Sequence, residues 1–337
     1  MSAPPAGGEA APVPVRFEDL LEARRRLEGV VRRTPLLSSP LLDRRLGGRL
    51  LVKAECLQET GSFKLRGAYN AIAARRPRAV VAYSSGNHAQ GVARAAALHG
   101  IPATIVMPGD APELKRRRTE AFGAEVVVYD RMRERREAIG ARIAREQSAS
   151  LVPPYDDPLV IAGQGTVGLE IAEELLGRGM TPDLLLCPCG GGGLIAGVAT
   201  AMRRIFPDCA PYCVEPEGFD DHRRSLEAGR RIENPGGAAS ICDALLAPAP
   251  GAITFAINRR LLAGGLAVSD VEVAEAMRVA FAEFKLVLEP GGAVALAALL
   301  AGRVVLEGRT AVVVLSGGNV DPALFARILA DSDQRSG

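Results

Sequence analysis

The chain has 337 residues, 48% of them hydrophobic and 24% charged. That is enough for about two domains, and it excludes disorder over most of the length, a collagen-like chain and a disulfide scaffold. With 41 Lys and Arg against 39 Asp and Glu, a net charge of +2, 4% aromatic residues and no Trp, the chain has neither the charge nor the stacking surface for nucleic acid. The longest uncharged stretches are broken by Gly and Pro, as in Thr181 to Met202, where Asp183 also intrudes. No membrane-spanning helix is expected.

Met1 to Pro14 is rich in Ala, Pro and Gly, lacks the apolar run of a signal peptide and reads as a disordered tail. Strands and helices then alternate. Strands are expected at 50–54, 79–83, 103–107, 125–129, 184–187, 211–214 and 311–315. Helices are expected at 63–75, 87–98, 111–122, 132–147, 161–176, 194–205, 271–284 and 293–300. Short β-rich runs alternating with helices predict an α/β fold with mostly parallel sheets. The runs are apolar without alternation, as in strands covered on both faces. No repeat of fixed period occurs. The chain ends about twenty residues past the last expected strand, too few for an appended regulatory domain.

Six cysteines (Cys56, Cys187, Cys189, Cys209, Cys213 and Cys242) are too sparse for a disulfide framework, and no C-x-x-C is present. They read as reduced core thiols, with a metal or redox role for Cys187 and Cys189 as the alternative. The expected compartment is the cytoplasm. The chain has only four lysines, Lys53, Lys64, Lys115 and Lys285, which narrows the choice for any amine chemistry.

In α/β folds ligands sit outside the carboxyl ends of the strands, and four turns there stand out. In Cys187-Pro188-Cys189-Gly190-Gly191-Gly192-Gly193-Leu194, four glycines lead from a strand into a helix. Without Cβ atoms their N–H groups can converge, and the helix N-terminus adds a positive dipole end, which suits a phosphate. A tight turn is the plainer alternative. Gly191-x-Gly193-x-x-Ala196 also fits a dinucleotide fingerprint, with Glu215 where a ribose-binding acid would sit, so a nicotinamide oxidoreductase competes.

In Ser62-Phe63-Lys64-Leu65-Arg66-Gly67-Ala68, Ser62 is the expected N-cap and Lys64 falls in the first turn. The positive helix end disfavours charge on that amine, as a Schiff-base lysine requires. Ser84-Ser85-Gly86-Asn87-His88 offers hydroxyls and a carboxamide at a helix start, suited to a carboxylate, with His88 read as a packed helix-start residue. Ser316-Gly317-Gly318-Asn319 would present Ser316 at a strand end.

Together these stretches resemble the pyridoxal-phosphate enzymes of the tryptophan-synthase-β type, in the branch of threonine/serine dehydratases and serine racemases. Gly163-Gln164-Gly165-Thr166 and Glu289-Pro290-Gly291-Gly292 fit too, and the match runs over about residues 16–330. The resemblance implies two domains, each an open, mostly parallel twisted sheet flanked by helices: a large cofactor-binding domain of 15–78 and 153–337, and a small substrate-gripping domain of 79–152. It assigns Lys64 to the covalent bond with the cofactor and places Phe63 beside the ring. Asn87 goes to the ring 3-oxygen, Gly190, Gly191, Gly192 and Gly193 to the phosphate, and Ser316 to the pyridine nitrogen. Ser84, Ser85, Gly86, Asn87 and His88 would grip the substrate carboxylate.

Lys64 would remove the α-proton of a hydroxy-amino acid. The β-hydroxyl would leave, and a 2-oxo acid and ammonia would result. A neutral serine at the ring nitrogen favours prompt elimination. Ser85 would face Cα from the other side, as the racemase branch needs. The resemblance also implies a Mg²⁺, Ca²⁺ or Mn²⁺ site on Glu215, the Phe219 carbonyl and Asp221, and a homodimer.

Departures from the family pattern occur at Cys56, at Asp243-Ala244 and at Pro154. The stretch 240–248 is similar to a bacterial sub-branch with hydroxyectoine-pathway and 3-hydroxyaspartate dehydratases. Threonine or serine is the first expected substrate and 3-hydroxyaspartate the second.

Overall fold

The protein is described from a computed structural model, covering residues 14–84, 86–111, 113–130 and 132–331. The expected tail at 1–14 therefore lies outside the described residues except for Pro14. The elements in chain order are α1 (Phe17–Leu27), β1 (Leu36–Ser38), α2 (Pro40–Leu46), β2 (Arg49–Ala54), α3 (Lys64–Arg75), β3 (Val80–Tyr83), α4 (Asn87–Leu98) and β4 (Ala103–Pro108). They continue with α5 (Glu113–Ala121), β5 (Glu125–Tyr129), α6 (Arg136–Glu146), β6 (Ser150–Leu151), α7 (Pro158–Gly177), β7 (Leu184–Pro188), α8 (Gly193–Ile205) and β8 (Ala210–Pro216). The last are α9 (Asp221–Ala228), α10 (Ala252–Leu261), β9 (Gly264–Val268), α11 (Asp270–Val279, prolonged by a π turn Ala280–Phe284), α12 (Pro290–Leu300), β10 (Thr310–Leu315) and α13 (Pro322–Ala330).

Two sheets form. One has the order β1-β2-β10-β7-β8-β9, the other β5-β4-β3-β6. All pairings are parallel except β1 with β2. Because successive side chains in a strand point to opposite faces, an unbroken apolar run feeds two cores at once. Leu50, Val52, Leu184, Leu186 and Val313 enter the core under α11 and α12. Leu51, Leu185, Cys187 and Val312 enter the one under α7 and α8. The second sheet divides likewise, with Val80, Ala82, Ile105 and Met107 on one side and Val81 and Val106 on the other.

The helix starts are chemically marked. Asp157 caps α7 ahead of Pro158, Ser269 and Glu272 form a capping box on α11, and Asp321 caps α13. Ser62 is not a cap, contrary to expectation. Phe63 holds the N-cap position of α3, and Ser62 instead makes an isolated bridge to Gly317 with its hydroxyl buried and unpartnered. Seven further elements were absent from the expected set beyond short β6, namely α1, β1, α2, α9, α10, β9 and α13. No described helix is long and apolar enough to cross a membrane.

Candidate active site

β2, β10 and β7 are neighbours, so the turns leaving their carboxyl ends meet. The loop after β2 is stapled to the loop after β10. Phe63 N donates to the Ser316 carbonyl at 3.3 Å, Gly318 N to the Gly61 carbonyl at 2.9 Å, and Asn319 Nδ2 to the Thr60 carbonyl at 2.9 Å. This fixes Lys64, the first residue of α3, relative to Ser316. One pocket is lined by Phe63, Lys64, Asn87, the Gly190–Gly193 loop and Ser316, with Ser84, Gly86 and His88 on the side of the four-stranded sheet. Fourteen of the fifteen expected cofactor, substrate and metal residues are described; Ser85 lies outside the described residues. The expected cofactor and substrate residues that are described converge here. Glu215, Phe219 and Asp221 do not line the pocket.

Lys64 Nζ lies 5.1 Å from the centre of the Phe63 ring and donates to the Pro154 carbonyl at 2.7 Å. Its pKa is lowered to about 8, chiefly by burial, with Glu289 opposing the shift. The sequence argument from the helix dipole had the right direction, but burial is the main cause. The other three lysines are paired or exposed. Lys53 is buried in an ion pair with Glu170, Lys115 pairs with Asp243 across the cleft, and Lys285 is exposed.

The glycine loop is held from behind by α10. Thr254 Oγ1 donates to the Gly191 carbonyl at 2.6 Å, and Asn258 Nδ2 donates to the Gly192 carbonyl at 3.3 Å. A Cβ on Gly191 would lie 2.3 Å from the Tyr155 ring, and Gly192 has φ +92°. Side chains are thus excluded where a phosphate would be cradled. The amine, the glycine loop and the hydroxyl of Ser316 on one pocket wall suit a cofactor with an aldehyde, a phosphate and a ring nitrogen.

Asn87 opens α4, accepts from Asn319 Nδ2 at 2.7 Å and donates to Glu289. His88 is buried, its Nε2 bonded to the Val152 carbonyl at 2.8 Å; burial, reinforced by Lys64, pulls its pKa down to about 3. It is a neutral, packed residue. Ser84 Oγ accepts from Gly86 N at 3.2 Å and shapes the loop.

Sequence reasoning assigned no role to Glu289, Tyr155, Lys115 or Arg136, all of which line the pocket. Glu289 is buried, one oxygen is unpartnered, and burial pushes it up to about 7. Arg136, at the start of α6, stacks 5.4 Å from the Tyr83 ring. The scarcity of lysine was the one sequence signal that could have flagged Lys115.

Glu215 is fully buried, and its two oxygens accept from the backbone N–H groups of His222 and Arg223 at 2.9 and 2.8 Å. It caps α9 and is closed to a ribose. The acid that the dinucleotide fingerprint placed at a ribose is therefore engaged with the backbone of α9 instead.

The family model described as pyridoxal-phosphate dependent enzyme matches residues 27–317. An L-threo-3-hydroxyaspartate ammonia-lyase of Pseudomonas sp is 44% identical over 319 residues, covering 93% of this chain and 98% of that protein. The crystal structure of a threonine deaminase from T.th. is similar with a TM-score of 0.86 at 46% identity, covering 91% of this chain and 99% of the other. That of maize serine racemase gives a TM-score of 0.87 at 35% identity, covering 96% and 99%.

Proposed function

Because the chain belongs to the pyridoxal-phosphate dependent enzyme family, we propose that it is an ammonia-lyase turning a β-hydroxy-α-amino acid, threonine or serine, into a 2-oxo acid and ammonia. The observation that carries the reading is Lys64. Its amine, held near neutrality by burial, stands in the same pocket as the glycine loop, Ser316 and the residues Ser84, Gly86, Asn87 and His88. Bound there, pyridoxal phosphate supplies an electron sink for the pair left when Cα loses its proton. Lys64 Nζ would hold the cofactor, and as a free amine it would be the base that takes the Cα proton. The Pro154 carbonyl, 2.7 Å from Nζ, orients that amine. Gly190 to Gly193 and the α8 N-terminus would take the phosphate, Phe63 would flank the ring, Asn87 would take the ring 3-oxygen, and Ser316 would meet the ring nitrogen as a neutral hydroxyl. The N-terminus of α4, with Ser84 to His88, takes the substrate carboxylate. The segment 79–152 is proposed to move as a unit that closes the cleft. Glu215, Phe219 and Asp221 lie outside the pocket, and no step runs through them.

The test is direct. Borohydride fixes the cofactor, and mass spectrometry is expected to find the adduct on Lys64. Lys64→Arg is expected to lower turnover by about three orders of magnitude or more. An adduct elsewhere, or turnover that survives, overturns the proposal.

Arg136 favours a second reading, 3-hydroxyaspartate, which agrees with the Pseudomonas relative's name. Its guanidinium on the pocket wall is bonded to Glu137 through Nε at 2.9 Å, and its two Nη groups would be the partners for a second carboxylate. Arg136→Leu is expected to cut kcat/KM for L-threo-3-hydroxyaspartate at least tenfold relative to that for threonine, about 1.4 kcal/mol of discrimination. Equal losses on both would remove the second carboxylate from the reading. The same substrate panel, read on a chiral column, separates lyase from racemase.

A homodimer is proposed as well. An apolar groove along α11 and α12 leaves Val271 and Phe281 exposed, and sedimentation of the holoenzyme reads the mass. A cytoplasmic setting is proposed on the six free cysteines, which persist as thiols in a reducing compartment.

A further inference from the structure

Lys64, the glycine loop and α10 share one partner, the strap 154–157 that leads from β6 into α7. The Pro154 carbonyl meets Lys64 Nζ at 2.7 Å. Tyr155 lies against the glycine loop, its Cα 3.0 Å from where a Cβ on Gly193 would stand. Asp157 caps α7 through Leu159 N at 3.0 Å and Val160 N at 3.1 Å. Asp156 turns instead to α10, 96 to 98 residues further on. Its Oδ2 accepts from Ala252 N at 2.9 Å, and its Oδ1 from Ile253 N at 2.8 Å and Thr254 N at 3.1 Å. α10 has no side-chain cap at its own N-cap residue, Gly251, and a Cβ there would lie 2.3 Å from Asp156 Oδ1. The first turn of a helix leaves its N–H groups unpaired. A carboxylate that takes three of them fixes where that turn sits.

That turn holds the glycine loop. The Gly191 carbonyl accepts from Thr254 Oγ1 at 2.6 Å and from Gly251 N at 3.3 Å, and the Gly192 carbonyl from Asn258 Nδ2 at 3.3 Å. Thr254 is thus bound to Asp156 through its N–H and to Gly191 through its hydroxyl. Gly251, Thr254 and Asn258 stand outside the pocket lining, so both carbonyls are drawn behind the loop. In a trans peptide the N–H points opposite to the C=O, and the N–H groups of Gly192 and Gly193 are thereby turned toward the pocket. We propose that Asp156 is a positioning residue for the cofactor: by capping α10 it holds these two carbonyls back and keeps the loop's N–H groups aimed at the phosphate. The proposal rests on the reading of the pocket as a pyridoxal-phosphate site and deepens it. Neighbours keep the strap in place without the Asp156 carboxylate. Asp157 also pairs with Arg75, and the Pro154 carbonyl also lies 3.5 Å from Gln164 Nε2. Loss of that carboxylate therefore frees the phosphate end of the site and leaves the surroundings of the Lys64 amine as they are.

The test strips the cofactor from the holoenzyme and titrates back, by absorbance, either pyridoxal phosphate or pyridoxal, which has the aldehyde and the ring without the phosphate. Asp156→Ala should weaken binding of pyridoxal phosphate by about tenfold or more and that of pyridoxal by less than about twofold. Asp156→Asn keeps a capping oxygen and should stay within about threefold of the parent on both. Thr254→Val removes the hydroxyl, keeps the branched shape and should show the same selective loss. Asp156→Ala combined with Thr254→Val should lose little more than the worse single variant, because both act on one path. The phosphorus NMR signal of the bound cofactor should move in Asp156→Ala and stay in Asp156→Asn. Equal losses on the two ligands, or additive losses in the double variant, would mean a cap that only stabilises the helix and would overturn the proposal. If Asp156→Ala does not fold, Thr254→Val decides: an unchanged preference for the phosphate ester overturns it as well. A parent protein that binds neither ligand would instead overturn the pyridoxal-phosphate reading, and this inference with it.

Discussion

Lys64 and Glu289 carry the electrostatic character of the pocket, and burial moves both toward neutrality in opposite senses. Burial lowers the Lys64 amine to about 8 from 10.5. Between those values the folded apoprotein binds fewer protons than the unfolded chain, so this group's contribution to stability rises with pH across that window and is least favourable below pH 8. The unprotonated amine is the nucleophile, so the rate at which apoprotein captures pyridoxal phosphate should be half-maximal near pH 8. A midpoint near 10.5 in stopped-flow absorbance would contradict the cause given. Glu289 is shifted from 4.5 up to about 7 by burial, with Lys115, Asn87 and Lys64 opposing and Asp243 adding to the rise. Here the folded state binds more protons between pH 4.5 and 7, and stability is lost as pH rises through that window. Glu289→Gln apoprotein should therefore be more stable than the parent at pH 8, by on the order of 3 kcal/mol at most, and nearly equal to it at pH 4.5. Urea titrations at the two pH values read the difference; a gap of equal size at both would show that the charge is not responsible.

At the scale of elements, α3 and the glycine loop are held by features remote in sequence. Arg66, two residues after Lys64, is fully buried and bonded to Glu55 and Glu170; Lys53 joins the same network. Burial works against the charge of Arg66, and the two acids outweigh it and raise its pKa. Such a network tolerates removal of no single partner, because the remaining charge is stranded. It ties α3, and with it Lys64, to β2 and α7. The glycine loop gives a sharper test. Gly191→Ala would drive a Cβ into the Tyr155 ring, whereas Gly190→Ala meets nothing nearer than 3.4 Å. Gly191→Ala should lower affinity for pyridoxal phosphate at least tenfold and destabilise the apoprotein by about 1–3 kcal/mol. Gly190→Ala should leave apoprotein stability within about 0.5 kcal/mol. Equilibrium dialysis and chemical denaturation check both, and equal effects would count against the packing argument.

Across the whole molecule, α5 reaches from the four-stranded sheet to the six-stranded one. Lys115 pairs with Asp243, and Arg118 Nη1 donates to Asn319 Oδ1 at 2.9 Å. Asn319 in turn holds Asn87 and the Thr60 carbonyl, so the cleft contact is continuous with the loops around Lys64. Lys115→Met removes one of the two links. It should raise KM several-fold more than it lowers kcat and speed hydrogen exchange in α5. Unchanged exchange together with an unchanged KM would mean that the pair does not hold the cleft.

Much of this was legible in the sequence because some constraints are local. The apolar runs of β2, β3, β4, β7 and β10 announce strands covered on both faces, and four consecutive glycines after β7 or a lysine opening α3 can be recognised from a few neighbours. The elements that went unseen lack such local marks. β9 begins with Gly264-Gly265 and is mostly half-buried at a sheet edge, without an apolar run. α9 is a polar helix whose first N–H groups are capped by Glu215, from the preceding strand rather than by an adjacent Ser or Asp. Ser62 looked like a cap because cap chemistry is local, but its backbone bridges to Gly317, more than 250 residues away. The sequence by itself determined the fold class, the order of strands and helices around the site, and the residue types presented at the strand ends. Only the tertiary structure decided which groups surround the Lys64 amine, that Glu215 caps a helix beside Cys189 and His222, and that Arg136 and Lys115 enter the pocket wall. Protonation, phosphate binding and reach depend on distances across the cleft, and those exist only after chain segments far apart in sequence have packed together.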